Sequence, residues 1–220
     1  MDSTTSTILL ITFLVGVLMT RKLLTMYYTK KLVNAFTDDP DCFEKKLDSA
    51  PVRLLFEVFN REFMRLNFYI TYSKKGKIDE QAEKLDKIKL NRNQKFSVFQ
   101  LLLQYYISTN QENKARKLQK RYNAFVDENK LDKVLKNNME MELKIHFNKD
   151  ITTLSYIDMN LEKCSSAEKV AWNFKKAIVL KANNQIEEAK ACIQEVIEHT
   201  HDEKQKEMMQ ELLNHDLKDL

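Results

Sequence analysis

The sequence predicts an all-α protein, and three observations carry that prediction. The 220 residues hold two glycines (Gly16, Gly76) and two prolines (Pro40, Pro51), against roughly 15 and 11 at average usage. Residues that punctuate turns and sheet corners are nearly missing, so long helices joined by tight polar connections are expected. Lys, Glu, Leu, Gln and Met, all good helix formers, are abundant. Apolar residues recur at helical steps, as in Phe56, Phe59, Phe63, Leu66 and Ile70. The expected architecture is an N-terminal transmembrane helix followed by an α-solenoid of about four antiparallel helical hairpins.

Residues 1–35 read as a membrane anchor with a basic extension. From Thr4 to Thr20 no side chain ionises, which makes about 25 Å of helix. A bilayer core asks for about 20 apolar residues, with a range that starts near 17. Ile8, Leu9, Leu10, Ile11, Phe13, Leu14, Val15, Val17 and Leu18 would face the lipid. Arg21, Lys22, Lys30 and Lys31 follow with no acid among them. Basic residues beside a span stay on the cytoplasmic side. The expected topology is therefore single-pass in the cell membrane, N-terminus outside and the remainder cytoplasmic. The same cluster is placed to meet anionic lipid heads. A cleaved signal peptide fits less well, because Asp2, Ser3, Thr4, Thr5 and Ser6 supply no basic n-region.

Residues 36–50 (FTDDPDCFEKKLDSA) read as a polar linker bracketed by Pro40 and Pro51, with Asp38, Asp39 and Asp41 making a turn and a helix cap. Residues 51–220 then form the helical domain. Its first long helix ends at Lys74-Lys75-Gly76-Lys77, where Gly76 can take the left-handed cap conformation. Thr109 with Glu112, and Ser165 with Glu168, have capping-box spacing. The segment 202–218 places Met208, Met209, Leu212, Leu213 and Leu217 on one face and reads as a closing helix.

One pattern recurs: an aromatic-rich helix, a short polar turn, then a helix with an alanine near its start. Ala82 and Ala115 are 33 apart, and Ala115 and Ala189 are 74 apart, or twice 37. A degenerate copy falls near Thr152. Such internal periods point to a hairpin array. The last unit has Ala177 and Leu180 in its first helix, then Ala189, Ile193 and Val196 in its second, with Trp172 upstream. The second unit has Phe99, Leu102, Tyr106, Ala115 and Leu118. On these residues the chain resembles the tetratricopeptide-repeat family. It departs from that pattern in lacking a glycine in the first helices and a closing proline. The resemblance implies protein or peptide binding in a groove of first-helix side chains, here Tyr69, Tyr105 and Asn173. It implies an adaptor or scaffold held at the membrane, with the lipid bilayer and a protein or peptide as partners.

No catalytic constellation is expected. There is no P-loop, Rossmann glycine motif, G-x-S-x-G or kinase signature. The chain is read as a non-enzyme with no cofactor. Glu195, Glu198, His199, His201 and Asp202 cluster in sequence but match no zinc spacing, so no metal is expected. Cys42, Cys164 and Cys192 are scattered, as in a reduced protein. The alternative reading is a membrane-tethered, nucleic-acid-associated protein. It rests on Lys114, Arg116, Lys117, Lys120 and Arg121 with Tyr105, Tyr106 and Tyr122 nearby. A solvated helix face explains the same charges more simply, so nucleic acid is disfavoured.

Overall fold

The computed structural model describes the backbone of residues 3–218 and 220, and the side chains of residues 15–218 and 220. Twelve α-helices and no strand occur among the described residues. The all-α expectation holds. Two compact units divide the chain, residues 1–101 and residues 102–220.

The first unit opens with α1 (Ser3–Asp38). The transmembrane expectation is overturned here: no helix of the described residues is long and apolar enough to cross a membrane. The uncharged run that starts at Thr4 ends at Thr20, where Arg21 and Lys22 begin the charged part of α1. The side chains of Ile8, Leu9, Leu10, Ile11, Phe13 and Leu14 lie outside the described residues. Val15, Val17 and Leu18 are about half exposed or more. Arg21, Lys22, Lys30 and Lys31 are exposed on the same helix.

The linker expectation is also corrected. Residues 40–47 form α2 (Pro40–Leu47), started by Pro40 in the first turn, where its fixed φ suits a helix. Phe43 and Leu47 are buried. Phe36, Phe43 and Phe68 pack ring on ring, with centroids 4.5 to 5.7 Å apart. The periodicity of these apolar residues is too sparse to read within a stretch so rich in charge. A short α3 (Ala50–Leu55) follows, and then the hairpin of α4 (Val58–Thr71) and α5 (Lys75–Asp86). Gly76 lies inside α5. The left-handed corner belongs to Ser73 instead.

The next helix, α6 (Arg92–Ser108), starts with a reciprocal cap not expected from sequence. The Asn91 Oδ1 accepts from the Gln94 N–H at 3.0 Å, and the Asn91 N–H donates to Gln94 Oε1 at 2.9 Å. In the second unit come α7 (Glu112–Glu128) and α8 (Val134–Leu143). A π-helical turn (Lys144–Asn148) continues α8 directly and ends at Lys149, which is left-handed. A 3-10 turn (Ile151–Thr153) leads into α9 (Leu154–Leu161). Then come α10 (Ser166–Ala182), α11 (Ile186–His199) and α12 (Glu203–Asn214).

The Ser165 cap holds: its N–H and hydroxyl donate to the Glu168 carboxylate at 2.8 and 2.7 Å. The Thr109 cap does not. Its hydroxyl donates to the Tyr105 carbonyl, and Gln111 occupies the cap position of α7. In the closing helix Met209 is buried against α11 and Leu212 and Leu213 pack beside it, together with the downstream Leu217. Met208 instead faces solvent.

Several helix ends share one corner. Lys130 adopts positive φ, and so do Ser73, Asn110, Lys149 and Asn184; these last four fall at intervals of about 37 residues, within the range of helical-hairpin repeats. At three of them the same two bonds close the helix end. The N–H groups of Lys74, Gln111 and Gln185 donate to Tyr69, Tyr106 and Leu180, and those of Ser73, Asn110 and Asn184 to Ile70, Ile107 and Lys181. This is the Schellman arrangement, which satisfies the last carbonyls of a helix. The corners re-register the repeat. Ala115 and Ala189 both sit five residues after the left-handed residue. In the first hairpin Ile78 holds that place, and Ala82 comes one helical turn later. In the third hairpin it is Leu154.

Candidate functional site

The second unit brings polar and aromatic side chains together where α8, the π turn, α9 and α10 meet. Ile145, Ile157 and Val179 form a small core, with Leu154, Tyr156, Leu161 and Trp172 packed on it. Above this floor, Glu142 sits in the last turn of α8. Lys175 of α10 places its Nζ 2.5 Å from Glu142 Oε1. His146, in the π turn, places Nε2 3.5 Å from Glu142 Oε2. A π turn shifts side chains from their α-helical register.

Lys175 also lies 4.2 Å from the centroid of the Trp172 ring, a cation–π geometry. Tyr156 meets Trp172 edge to face at 5.8 Å and its hydroxyl donates to Asn138 Oδ1 at 3.1 Å. Burial pushes the Glu142 carboxyl up. The bond from His146 and the charge and hydrogen bond of Lys175 outweigh burial, and the group is held below the usual carboxylate range. Burial and then the Glu142 charge push the Tyr156 hydroxyl up. Glu142 is therefore an ionised acceptor, while Tyr156 remains a neutral donor.

Glu142 and Lys175 are each about one-fifth exposed, and Trp172 is half-buried. The group combines an ionised acceptor, a cation and an aromatic plane, all reachable from solvent. It contains no Ser, Thr or Cys nucleophile.

The first unit holds a second carboxylate of similar company but closed. Glu62 of α4 is 4 % exposed. Its Oε2 accepts from Arg65 at 2.6 Å and from Gln81 and Lys84 of α5 at 2.9 Å each. The Gln81 amide also donates to the Glu62 carbonyl. Arg65 reaches on to Asp48 Oδ1 at 2.5 Å. Burial again raises the Glu62 carboxyl, and the bonds from Gln81 and Lys84 with the Arg65 charge overcome it. All three bonds converge on Oε2 and come from within the chain. This buried cluster braces the hairpin.

The residues expected to line the groove are interior. Tyr69, Tyr105 and Asn173 are 6, 6 and 8 % exposed. The Tyr69 hydroxyl donates to Glu44 Oε2 at 3.0 Å, and burial followed by that carboxylate pushes it up to about 12. Trp172 and Lys175, on either side of Asn173 in sequence, are the ones that reach the surface. Helical spacing gives the signal: a buried Asn173 and Ala177 turn Trp172 and Lys175 toward the rim. Glu142 and His146, four residues apart, had no such marker. The π turn that places His146 has no signature in Lys144–Asn148.

The other candidates resolve plainly. No three His, Cys, Asp or Glu side chains converge to hold a metal among the described residues. His199 pairs with Glu195 at 3.4 Å, and Asp202 caps α12 through the Gln205 N–H. The three cysteines are free thiols, with Cys192 buried. Tyr105, Tyr106 and Tyr122 are buried beside the basic run, so they offer no open face for stacking a base. Arg116 of that run pairs with Glu112 and Asn148. Comparison with family models, curated proteins and solved structures returns no match.

Proposed function

We propose that the helical hairpins of residues 51–220 form a protein- or peptide-binding scaffold that resembles tetratricopeptide repeats. The observation that carries this reading is the corner shared by Ser73, Asn110, Lys149 and Asn184 at a period of about 37 residues. Hairpin repeats of this kind bind through the side chains of successive first helices. Here α8 and α10, the first helices of the third and fourth hairpins, contribute Glu142, Trp172 and Lys175 to one partly open face. A half-buried tryptophan is a residue type enriched at binding hot spots.

The test uses the full chain. Proteins retained from host extract by the wild type are identified, purified and titrated against wild type, Trp172→Ala and Lys175→Glu. A loss of at least about tenfold in affinity for both variants is expected. A purified partner that binds both variants as tightly as the wild type would remove this face from the proposal. A chain that binds no protein directly would end it.

A further inference from the structure

Two surface features of the first unit, one after the other along α1, share a chemistry. The described part of α1 leaves large apolar side chains in solvent, among them Leu18 (63 %), Leu23 (64 %) and Met26 (61 %). Leu54 of α3 is 83 % exposed. With Leu55, Val17 and Leu24 it lines a groove of about 750 Å³, and Arg21 stands in the same wall. Exposed apolar surface of this extent marks a contact site.

Farther along, α1, α2 and α3 enclose a cleft of about 410 Å³ whose lining includes Tyr28, Lys31, Lys45, Lys46 and Val52. Lys46 is held by Asp39 at 3.1 Å. Lys31 and Lys45 are exposed, and Lys31 lies 5.5 Å over the Tyr27 ring. From Ser3 to Thr37 the sequence contains no acid. The positive charge of this face is therefore not balanced within its own helix.

An apolar groove that leads into a cationic cleft matches one molecule in both halves: a lipid with acyl chains and an anionic head. We propose that the α1–α3 face docks on anionic phospholipid at a membrane surface. Acyl chains would occupy the groove of Val17, Leu24, Leu54 and Leu55, and the headgroup phosphate would meet Lys31 and Lys45 in the cleft. Charge complementarity selects this occupant over an apolar protein helix, which would leave these cations unpaired. Basic residues near an anionic leaflet attract it additively, and the apolar side chains add affinity in proportion to the area they bury.

The test is flotation of the full chain with vesicles of phosphatidylglycerol and phosphatidylcholine, against vesicles of phosphatidylcholine alone. Binding to the anionic vesicles is expected to be stronger by about tenfold or more and to fall with added salt. The double variant Lys31→Glu/Lys45→Glu is expected to lose most of that preference. Leu54→Asp is expected to weaken binding to anionic vesicles. Circular dichroism establishes that each variant is folded, and Lys31→Gln/Lys45→Gln replaces the charge reversal if it is not. Equal binding to both vesicle types, or variants that float like the wild type, would overturn the proposal. So would saturable binding of free inorganic phosphate that abolishes flotation, which would make the cleft a free-anion site. Concentration-dependent dimerisation that Leu54→Asp abolishes, without vesicle binding by the wild type, would assign the face to a second copy instead.

Discussion

Glu62 and Glu142 pose the same physical problem and receive different answers. Each is a glutamate drawn out of water, and each is kept ionised by hydrogen bonds and nearby positive charge that more than offset burial. Around Glu62 the donors come from its own helix and from the facing helix of the hairpin, and side-chain exposure falls to 6 %. Around Glu142 one donor is His146 on a π turn and the other is Lys175 from a neighbouring hairpin, and 22 % of the side chain still meets solvent. A carboxylate satisfied within one hairpin becomes a brace. One shared between hairpins at a seam stays open enough to exchange its partner.

Breaking the closed cluster is expected to have the largest effect. Glu62→Ala leaves Arg65 buried, with only the exposed Asp48 as a counter-charge. Removal of one partner of a buried pair costs about 3–5 kcal/mol, read as a lower midpoint in urea denaturation. Glu142→Ala removes a hydrogen-bonded acceptor that is partly solvated, and a loss of about 1–2 kcal/mol is expected from the same measurement. Two equal losses would collapse the contrast between brace and seam.

Acid titration sharpens the comparison further. Both carboxylates have folded-state pKa values below the ordinary one. Their stabilisation is complete above the unfolded value of about 4.3. It is lost as pH falls through the lower, folded values. Stability is therefore expected to drop as pH is lowered from about 5 to about 3. Glu62→Gln, which cannot titrate, is expected to show a shallower slope over that range, measured against its own stability at neutral pH. An unchanged slope would place the acid sensitivity elsewhere.

Much of this architecture was legible beforehand. The scarcity of glycine and proline, with apolar residues at helical steps, led to an all-α chain. The alanines led to hairpins, because helices approach closely only over small side chains. Ala115 and Ala189 are indeed fully buried. Ala82 misled the alignment by one helical turn, since Ile78 occupies the matching place. Two of the four corners escaped prediction because they use no residue with a strong local signal for left-handed geometry. Ser73 and Lys149 carry little such preference, and Asn184 is one of two adjacent asparagines. Apolar content misled in the other direction near the N-terminus, where length without charge suggested a span. The cluster of Glu142, His146, Trp172 and Lys175 was the least legible part. Its geometry depends on contacts between residues more than thirty positions apart, such as Glu142 with Lys175.

The smallest expected effects lie at the corners and rim. Lys149 pays the steric penalty of left-handed φ that glycine avoids. Lys149→Gly is expected to change stability by less than about 1 kcal/mol, in the stabilising direction, because glycine's greater freedom in the unfolded chain offsets part of the gain. Lys84→Ala removes an exposed cation from the Glu62 brace, and about 1 kcal/mol or less is expected to be lost. Thermal unfolding of the two variants in parallel tests both signs.

The π turn at Lys144–Asn148 has a consequence for how the chain tolerates length. In an α-helix each added residue rotates everything downstream by about 100°. A wide turn absorbs one extra residue inside the helix, so the chain reaches the left-handed corner at Lys149 with its backbone bonds unbroken. Both the Lys149 and the Asp150 N–H groups close onto the Lys144 carbonyl there. The third hairpin thus behaves like a measure of music with one surplus beat, sung without losing the bar. Deleting a single residue within that turn is expected to restore an ordinary helix and to carry His146 out of register with Glu142.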